Sequence, residues 1–373
     1  MKQQAGSPNL LVFGSPSRYV QGEDATRTLG TEMSRLGFIG PVLLLASSIV
    51  REQLEATWQV AFETENIPLT IQTFGGECSQ NAIDAGVDRA KSIGATSIVG
   101  AGGGKCLDTG RAIAATLDLP VVNCPSLASS DAPCSALSVV YTDEGAFEQY
   151  LFYKKNPDLV LVDTALVAKA PTRFLVAGMG DALATWFEAR TVIEAGSPNQ
   201  LNGGTTQAAG ALAKRCYEIL LNDGLSACQS VNSQTVTPSL DRIVEANTLL
   251  SGLGFESGGL AIAHSVHNGL TTAPGTHEYL HGEKVAFGLL VQLIVEERPQ
   301  EEIDEVLAFS RSVGLPVTLA EVGIVSLDSS MLSAIATRSV AEGETAHHEP
   351  FAVTASMIEK GIIAADSLGR RQG

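Results

Sequence analysis

The sequence predicts an α/β plus all-α architecture: an N-terminal α/β domain on a doubly wound, mostly parallel sheet, then a C-terminal helical domain. Three observations predict it. Short, nearly continuous apolar runs alternate with helix-period stretches through the first half of the chain, as buried parallel strands joined by crossover helices require. After about residue 165 such runs become scarce and helical spacing takes over. The 373 residues also exceed the roughly 250–300 at which a single core stops growing. Two domains are therefore expected, over 1–166 and 167–373, packed closely around a cleft.

The expected strands are NLLVFG at 9–14, PVLLLAS at 41–47, LTIQTFG at 69–75, TSIVGAG at 96–102, PVVNCP at 120–125 and LVLVDT at 159–164. Helices are expected between them, for example over 79–93 and 105–117. ALSVVYT and EQYLFYK, on either side of TDEGAF, interrupt the alternation and read as an antiparallel hairpin. Farther along, 205–222, 239–251, 284–297 and 301–313 have helical spacing with glycines near their ends. The helical domain is read from near Pro171. The sequence has no internal repeat and no low-complexity linker.

Composition narrows the function. Hydrophobic residues make up 45% and charged residues 17%, which is globular rather than disordered. A net charge of −17 repels nucleic acid and anionic membrane surfaces. No apolar run reaches the ~20 residues of a membrane span, and MKQQAGSP at 1–8 lacks the apolar stretch of a secretory signal. The six cysteines form no CxxC pair and read as reduced thiols. An acidic, cytoplasmic protein is expected.

Two stretches carry chemistry. VGAGGGKCLDTGRAIA at 99–114 follows a strand and leads into a helix. Gly102, Gly103 and Gly104 let backbone amides approach an anion, the helix N-terminus adds partial positive charge, and Lys105 can add a point charge. It is not a Walker loop, because Cys106 follows the lysine and supplies no hydroxyl for magnesium. The bare pattern fits a tight strand-to-helix turn equally well.

The second stretch, HSVHNGLTTAPGTHEYLHGEK from His264 to Lys284, holds four of the six histidines. A metal site needs neutral nitrogens and carboxylates converging from separate elements. His264 and His267 are three apart and share a helix face. A loop with Pro274 and Gly275 can return His281 toward them. The best carboxylate is Asp181 in AGMGDALATWFEAR, read as opening a helix after two glycines, among apolar residues where an unpaired charge is costly. It could equally be an N-terminal cap, and His267 or His277 could be hydrogen-bonded neighbours. The residues alone do not choose among the histidines. His347 and His348 in ETAHHEP read as a solvated loop.

GGGKCLDTGRA, SLASSDAPCSALSVVYTDEG, NPDLVLVDT, GMGDALATWFEAR, ESGGLAIAHSVHNGL and HGEKVAFG together resemble the glycerol dehydrogenases. These are the zinc-dependent branch of the iron-containing alcohol dehydrogenase superfamily, which is similar to dehydroquinate synthase in fold. The resemblance runs from SPSRYVQG at 15–22 to the ETAHHEP region. It implies a Rossmann-like nucleotide-binding domain, a helical domain, and an active site with catalytic zinc in the cleft between them. By motif, the zinc ligands are Asp181, His264 and His281, with His264 counted as catalytic as well, and His267 and His277 become neighbours. The iron-dependent relatives carry a further histidine four residues after the aspartate. Thr185 stands there in this chain, which leaves three protein ligands and an open place, as suits zinc.

The resemblance further places NAD along Gly102, Gly103, Gly104 and Lys105, with Ser126, Ser129, Ser135, Leu137 and Tyr141 near the nicotinamide half. Asp131 matches the catalytic position that contacts substrate hydroxyls. Relatives end the second strand with an aspartate that can bind the adenosine ribose. This chain has Ser47 there, in LLLASS, which neither binds the 2′-hydroxyl as firmly nor repels a 2′-phosphate. Because no arginine occupies positions 46–48, although Arg51 is near, NAD is the expected cofactor. The implied reaction is reversible hydride transfer from a secondary hydroxyl of glycerol or a related vicinal diol, with His267 a candidate proton relay. A polyol-phosphate dehydrogenase or another dehydroquinate-synthase-like enzyme is the alternative, and a non-catalytic zinc or nucleotide module is the alternative of another class. The expected partner is a small polyol, and the family implies a homo-oligomer.

Overall fold

The computed structural model describes residues 10–371. Its strands are β1 Tyr19–Gly22, β2 Val42–Ala46, β3 Leu69–Thr73, β4 Ser97–Gly102, β5 Val121–Pro125, β6 Leu137–Tyr141, β7 Phe147–Phe152 and β8 Leu159–Asp163. Six of them form a sheet in the order β1-β8-β5-β4-β2-β3, and every pairing in it is parallel. The helices α1 Leu29–Arg35, α2 Ser48–Thr64, α3 Gln80–Ile93 and α4 Gly104–Leu117 lie between these strands in the chain and cover both faces of the sheet. Successive residues of β2 point to opposite faces. Leu44 joins Leu29, Met33, Trp58 and Phe62 on one side, and Leu43 and Leu45 join Ile83, Val87, Ile98 and Ile113 on the other. That is why these strands read as nearly continuous apolar runs. β6 and β7 form the expected antiparallel hairpin.

One expected strand does not form. Within residues 10–14, Leu11 makes only an isolated bridge to Gly204, and Leu10 and Leu11 are 62% and 63% exposed. A central parallel strand needs cover on both faces, which this run lacks. Its backbone is held instead by Gly204, with Val12 N–H donating to the Gly204 carbonyl at 3.0 Å and Gly204 N–H to that of Leu10 at 2.8 Å. The outer sheet position goes to β1, whose four residues YVQG are all half-buried and give too weak an apolar signal to be read.

The helices that follow are α5 Thr164–Ala168, α6 Thr172–Ala195, α7 Gln207–Asn232, α8 Pro238–Glu245, α9 Ser251–Gly258, α10 Ile262–Leu270, α11 His281–Val295, α12 Gln300–Val313, α13 Ser329–Ser339 and α14 Ala355–Arg371. The helical C-terminal region is thus as expected. The fold clusters into two compact units: residues 15–172 with 229–249, and residues 10–14 with 173–228 and 250–371. Among the described residues no helix is long and apolar enough to cross a membrane.

Candidate metal centre and nucleotide loop

In the helical unit, glycines set the geometry. A Cβ added at Gly180 would lie 2.4 Å from the Gly282 carbonyl oxygen, and one at Gly282 would lie 1.8 Å from that of Ala177. Only glycine at both places lets the first turn of α11 rest backbone to backbone against the middle of α6. Gly288 does the same further along, since its Cβ would meet the Ala263 carbonyl oxygen at 2.3 Å and push α11 off α10. Asp181 therefore does not open a helix as the sequence suggested. It lies well inside Thr172–Ala195, so it is not an N-terminal cap, and the preceding glycines serve helix contact rather than a turn.

These contacts bring Asp181, His264 and His281 together, with one ligand atom from each lying within 4.8 Å of the others. His281 Nε2 is 3.1 Å and His264 Nε2 3.4 Å from Asp181 Oδ1. Asp181 is fully buried, whereas the His281 side chain keeps 41% exposure.

Each histidine is oriented from behind. His264 Nδ1 lies 2.6 Å from Glu188 Oε2. The other oxygen of this fully buried carboxylate accepts the Ala261 and His264 backbone N–H groups at 2.8 and 3.1 Å. A carboxylate only accepts, so His264 Nδ1 carries a proton, and Nε2 is the nitrogen left for a metal ion beside Asp181. His281 Nδ1 lies 3.0 Å from His267 Nε2, whose ring continues through Nδ1 to Asn268 Oδ1 at 3.1 Å.

The electrostatics point the same way. Burial alone would raise the Asp181 carboxyl, but the His281 and His264 imidazoles outweigh it and hold the group well below the usual carboxylate range. Burial disfavours a charged His264, yet Glu188 and Asp181 lift its pKa well above the ordinary value. Burial, then His281, Lys284 and His264, push His267 well below its ordinary value. The cluster therefore attracts positive charge at the imidazole pair facing Asp181, and proton and metal ion compete for that place. Two nitrogens, each supported from behind, and a buried carboxylate oxygen fit a divalent metal.

The other histidines do other things. His277 Nε2 bonds the Thr271 carbonyl at 3.1 Å, His347 Nε2 bonds those of Val340 and Ala341 at 3.2 Å, and His348 Nδ1 bonds that of Leu260 at 2.8 Å. Thr185 Oγ1 pairs with Ser251 Oγ at 2.8 Å. Sequence reasoning missed Glu188. It stands seven residues, about two helical turns, after Asp181 and so on the same face of α6; an acid at that spacing in an apolar helix was the available signal.

In the sheet unit, β2 has β3 on one side and β4 on the other, so connections leave this pair in opposite directions. In open α/β sheets ligands bind beyond the carboxyl ends of strands at such a switch point. Ser47 and Gly102 stand at those ends, Ser47 N–H donating to the Ala101 carbonyl at 3.2 Å. Gly102 has φ +159, and its Cβ would lie 2.9 Å from Cys106 Cβ. Gly103 caps α4, and a side chain at Gly104 would meet nothing within 4 Å. Gly100 and Gly110 bring strand and helix within 3.2 Å, measured from a Cβ at Gly110. The loop thus presents open backbone at a 14-residue helix N-terminus, an anion-binding geometry.

The remaining residues of this unit are placed as follows. Lys105 is not a bare charge, for its Nζ lies 2.7 Å from Glu77 Oε1 and 4.9 Å from the Tyr141 ring centre. Burial pushes the Cys106 thiol up to about 12, so it packs beneath the loop as a neutral group. Ser126 N–H donates to the Gly102 carbonyl at 2.9 Å, which places it beside the loop. Asp131 is buried and precedes the short turn Ala132–Cys134, Ser135 Oγ closes that turn on the Ala132 carbonyl at 2.9 Å, and Ser129 is half-buried just before it. Leu137 and Tyr141 begin and end β6.

Known proteins agree with this architecture. The iron-containing alcohol dehydrogenase family matches residues 16–164. A glycerol dehydrogenase of Escherichia coli is 47% identical over 360 residues, covering 96% of this chain and 98% of its own. A glycolaldehyde reductase of Halobacterium salinarum is 46% identical over 360 residues, covering 96% and 98%. The crystal structure of glycerol dehydrogenase from Schizosaccharomyces pombe superposes with a TM-score of 0.92 at 36% identity, covering 98% of this chain and 92% of that one. With relatives this similar over nearly its whole length, the chain belongs to the iron-containing alcohol dehydrogenase family.

Proposed function

We propose that this protein is a zinc-dependent, NAD-linked dehydrogenase that reversibly converts a secondary hydroxyl of glycerol or a related vicinal diol to the ketone, giving dihydroxyacetone from glycerol. One observation carries the reading: Asp181, His264 and His281 converge within 4.8 Å in a chain 47% identical to a glycerol dehydrogenase. Thr185 is bonded to Ser251 and adds no nitrogen, so three protein ligands and an open place remain, as suits zinc.

Bound there, the metal supplies a Lewis acid that makes a substrate hydroxyl easier to deprotonate, and NAD supplies the acceptor for the carbinol hydride. The chain's own residues do the rest. Asp181 brings the negative charge that offsets the cation, and Glu188 fixes the His264 ring. Asp131 orients the neighbouring hydroxyls of the polyol, a positioning role. The backbone of Gly102, Gly103 and Gly104 receives the pyrophosphate, with Ser126, Ser129, Ser135, Leu137 and Tyr141 toward the nicotinamide. Ser47 faces the ribose. Arg51 is spent on Glu55 at 2.8 Å and Thr73 at 2.8 Å, which supports NAD over NADP.

All six cysteines are free, which supports a cytoplasmic setting; a homo-oligomer is part of the same reading. The relative named glycolaldehyde reductase, at 46% identity, favours a second substrate class, a short hydroxyaldehyde reduced to the primary alcohol by hydride from the reduced cofactor and a proton. Absorbance at 340 nm tests the substrate, cofactor and metal, with glycerol or glycolaldehyde as substrate, either nicotinamide cofactor, and zinc removed and returned. Zinc-restorable NADH formation from glycerol is expected. NADPH formation alone would overturn the cofactor, and full activity in folded, metal-free protein would overturn the metal's role.

A further inference from the structure

We propose that Asn268 and Glu344 act as a tautomer clamp on His281, working through His267 to keep the His281 Nε2 lone pair turned toward the metal. The proposal rests on the metal-dependent reading above. Among the described residues, no carboxylate stands behind His281 as Glu188 stands behind His264. Its Nδ1 meets another imidazole, His267 Nε2, at 3.0 Å, and either ring of such a pair could be the donor. Left to itself, the pair could settle with a proton on His281 Nε2, where it would block a metal.

The atoms beyond His267 settle the direction. Glu344 is nearly buried, 8% exposed, and held by Arg338 from α13. As an ionised carboxylate it only accepts, so the Asn268 group 3.0 Å from its Oε2 must be the Nδ2 amide. That turns Asn268 Oδ1 to His267, 3.1 Å from Nδ1, and an oxygen there requires the proton on Nδ1. His267 Nε2 is then the acceptor, His281 Nδ1 the donor, and His281 Nε2 the free lone pair. Reversing the Asn268 amide would set two acceptors against each other at Glu344, and reversing the steps that follow would put a proton on His281 Nε2, where a metal needs a lone pair. The packing serves the clamp too. A Cβ at Gly269 would lie 2.5 Å from the Ile335 carbonyl oxygen and 2.2 Å from Ser339 Oγ, so this glycine lets α10 sit against α13 and brings Asn268 to Glu344.

A purely structural tie between α10 and α13 would affect melting and leave metal affinity alone. The test is zinc affinity by competition with a chromophoric chelator, for wild type and Asn268→Leu, alongside thermal melting. It is paired with long-range ¹H–¹⁵N correlation on zinc-loaded wild type carrying ¹⁵N-histidine. We expect His267 protonated at Nδ1 and bare at Nε2, and zinc affinity in Asn268→Leu lower by about 10–100-fold. A proton on His267 Nε2, or unchanged affinity in a folded Asn268→Leu protein, would overturn the clamp; the spectrum decides if that variant does not fold. Wild type that binds no zinc would instead sink the metal-dependent reading, and the clamp with it.

Discussion

The two histidines of the metal centre are supported in opposite ways. His264 rests directly on Glu188, a fully buried carboxylate 2.6 Å away that also accepts two backbone N–H groups. His281 rests on a neutral ring and a neutral amide before any charge is reached at Glu344. A carboxylate one bond away both fixes the tautomer and raises the basicity of the ligand, whereas a relay of neutral groups fixes the tautomer with little added basicity. The first arm should therefore dominate affinity, and the second should chiefly set geometry at the more exposed side of the site.

Removing what both arms serve should have the largest effect. Asp181→Ala is expected to lose zinc and to lower glycerol oxidation by ~10³-fold or more, the worth of several kcal/mol of charge stabilisation; activity and metal content of the purified variant check this. The arms themselves come next. Glu188→Leu should weaken zinc toward the upper end of about 10–100-fold, and Asn268→Leu by less. Equal losses in chelator competition would erase the distinction between the arms.

Gly282→Ala probes the contact that positions the His281 arm alone. A methyl 1.8 Å from the Ala177 oxygen must push α11 from α6, costing about 1–3 kcal/mol. A drop of several degrees in Tm is expected, with weaker zinc binding.

The smallest effect concerns Glu349. Burial, then the Glu296 and Glu188 carboxylates, push its carboxyl up to about 9. A carboxyl raised in the folded state favours folding fully below its unfolded pKa, about 4.3, and that contribution is lost as pH rises toward 9. Glu349→Gln should remove this slope and melt a few degrees higher than wild type at pH 8. Parallel melting curves for the two proteins from pH 5 to 9 would contradict it.

How much of this was legible follows from the same physics. β2, β4, β5 and β8 were readable because both faces are buried and their apolar runs are nearly continuous. The run at 9–14 carries the same signal, but its described residues 10–14 lack the cover, and YVQG of β1 carries the cover without the signal. Within the metal centre, residues alone left His264, His267, His277 and His281 undecided, and the resemblance selected a set that the fold brings together. Choosing from sequence would need to know which nitrogen faces Asp181, and that depends on Gly180 meeting Gly282 across about a hundred residues. Glu188 lay within reach as an acid two turns along one helix. Arg338 and Glu344 did not, because no periodicity links α13 and its following loop to α10.

The most direct test is a zinc titration of chelated, still-folded protein, followed by NADH formation from glycerol at 340 nm. The account predicts that activity rises with added zinc and saturates at one ion per chain, and that Asp181→Ala shows no such rise. Full activity before any zinc is added would contradict it.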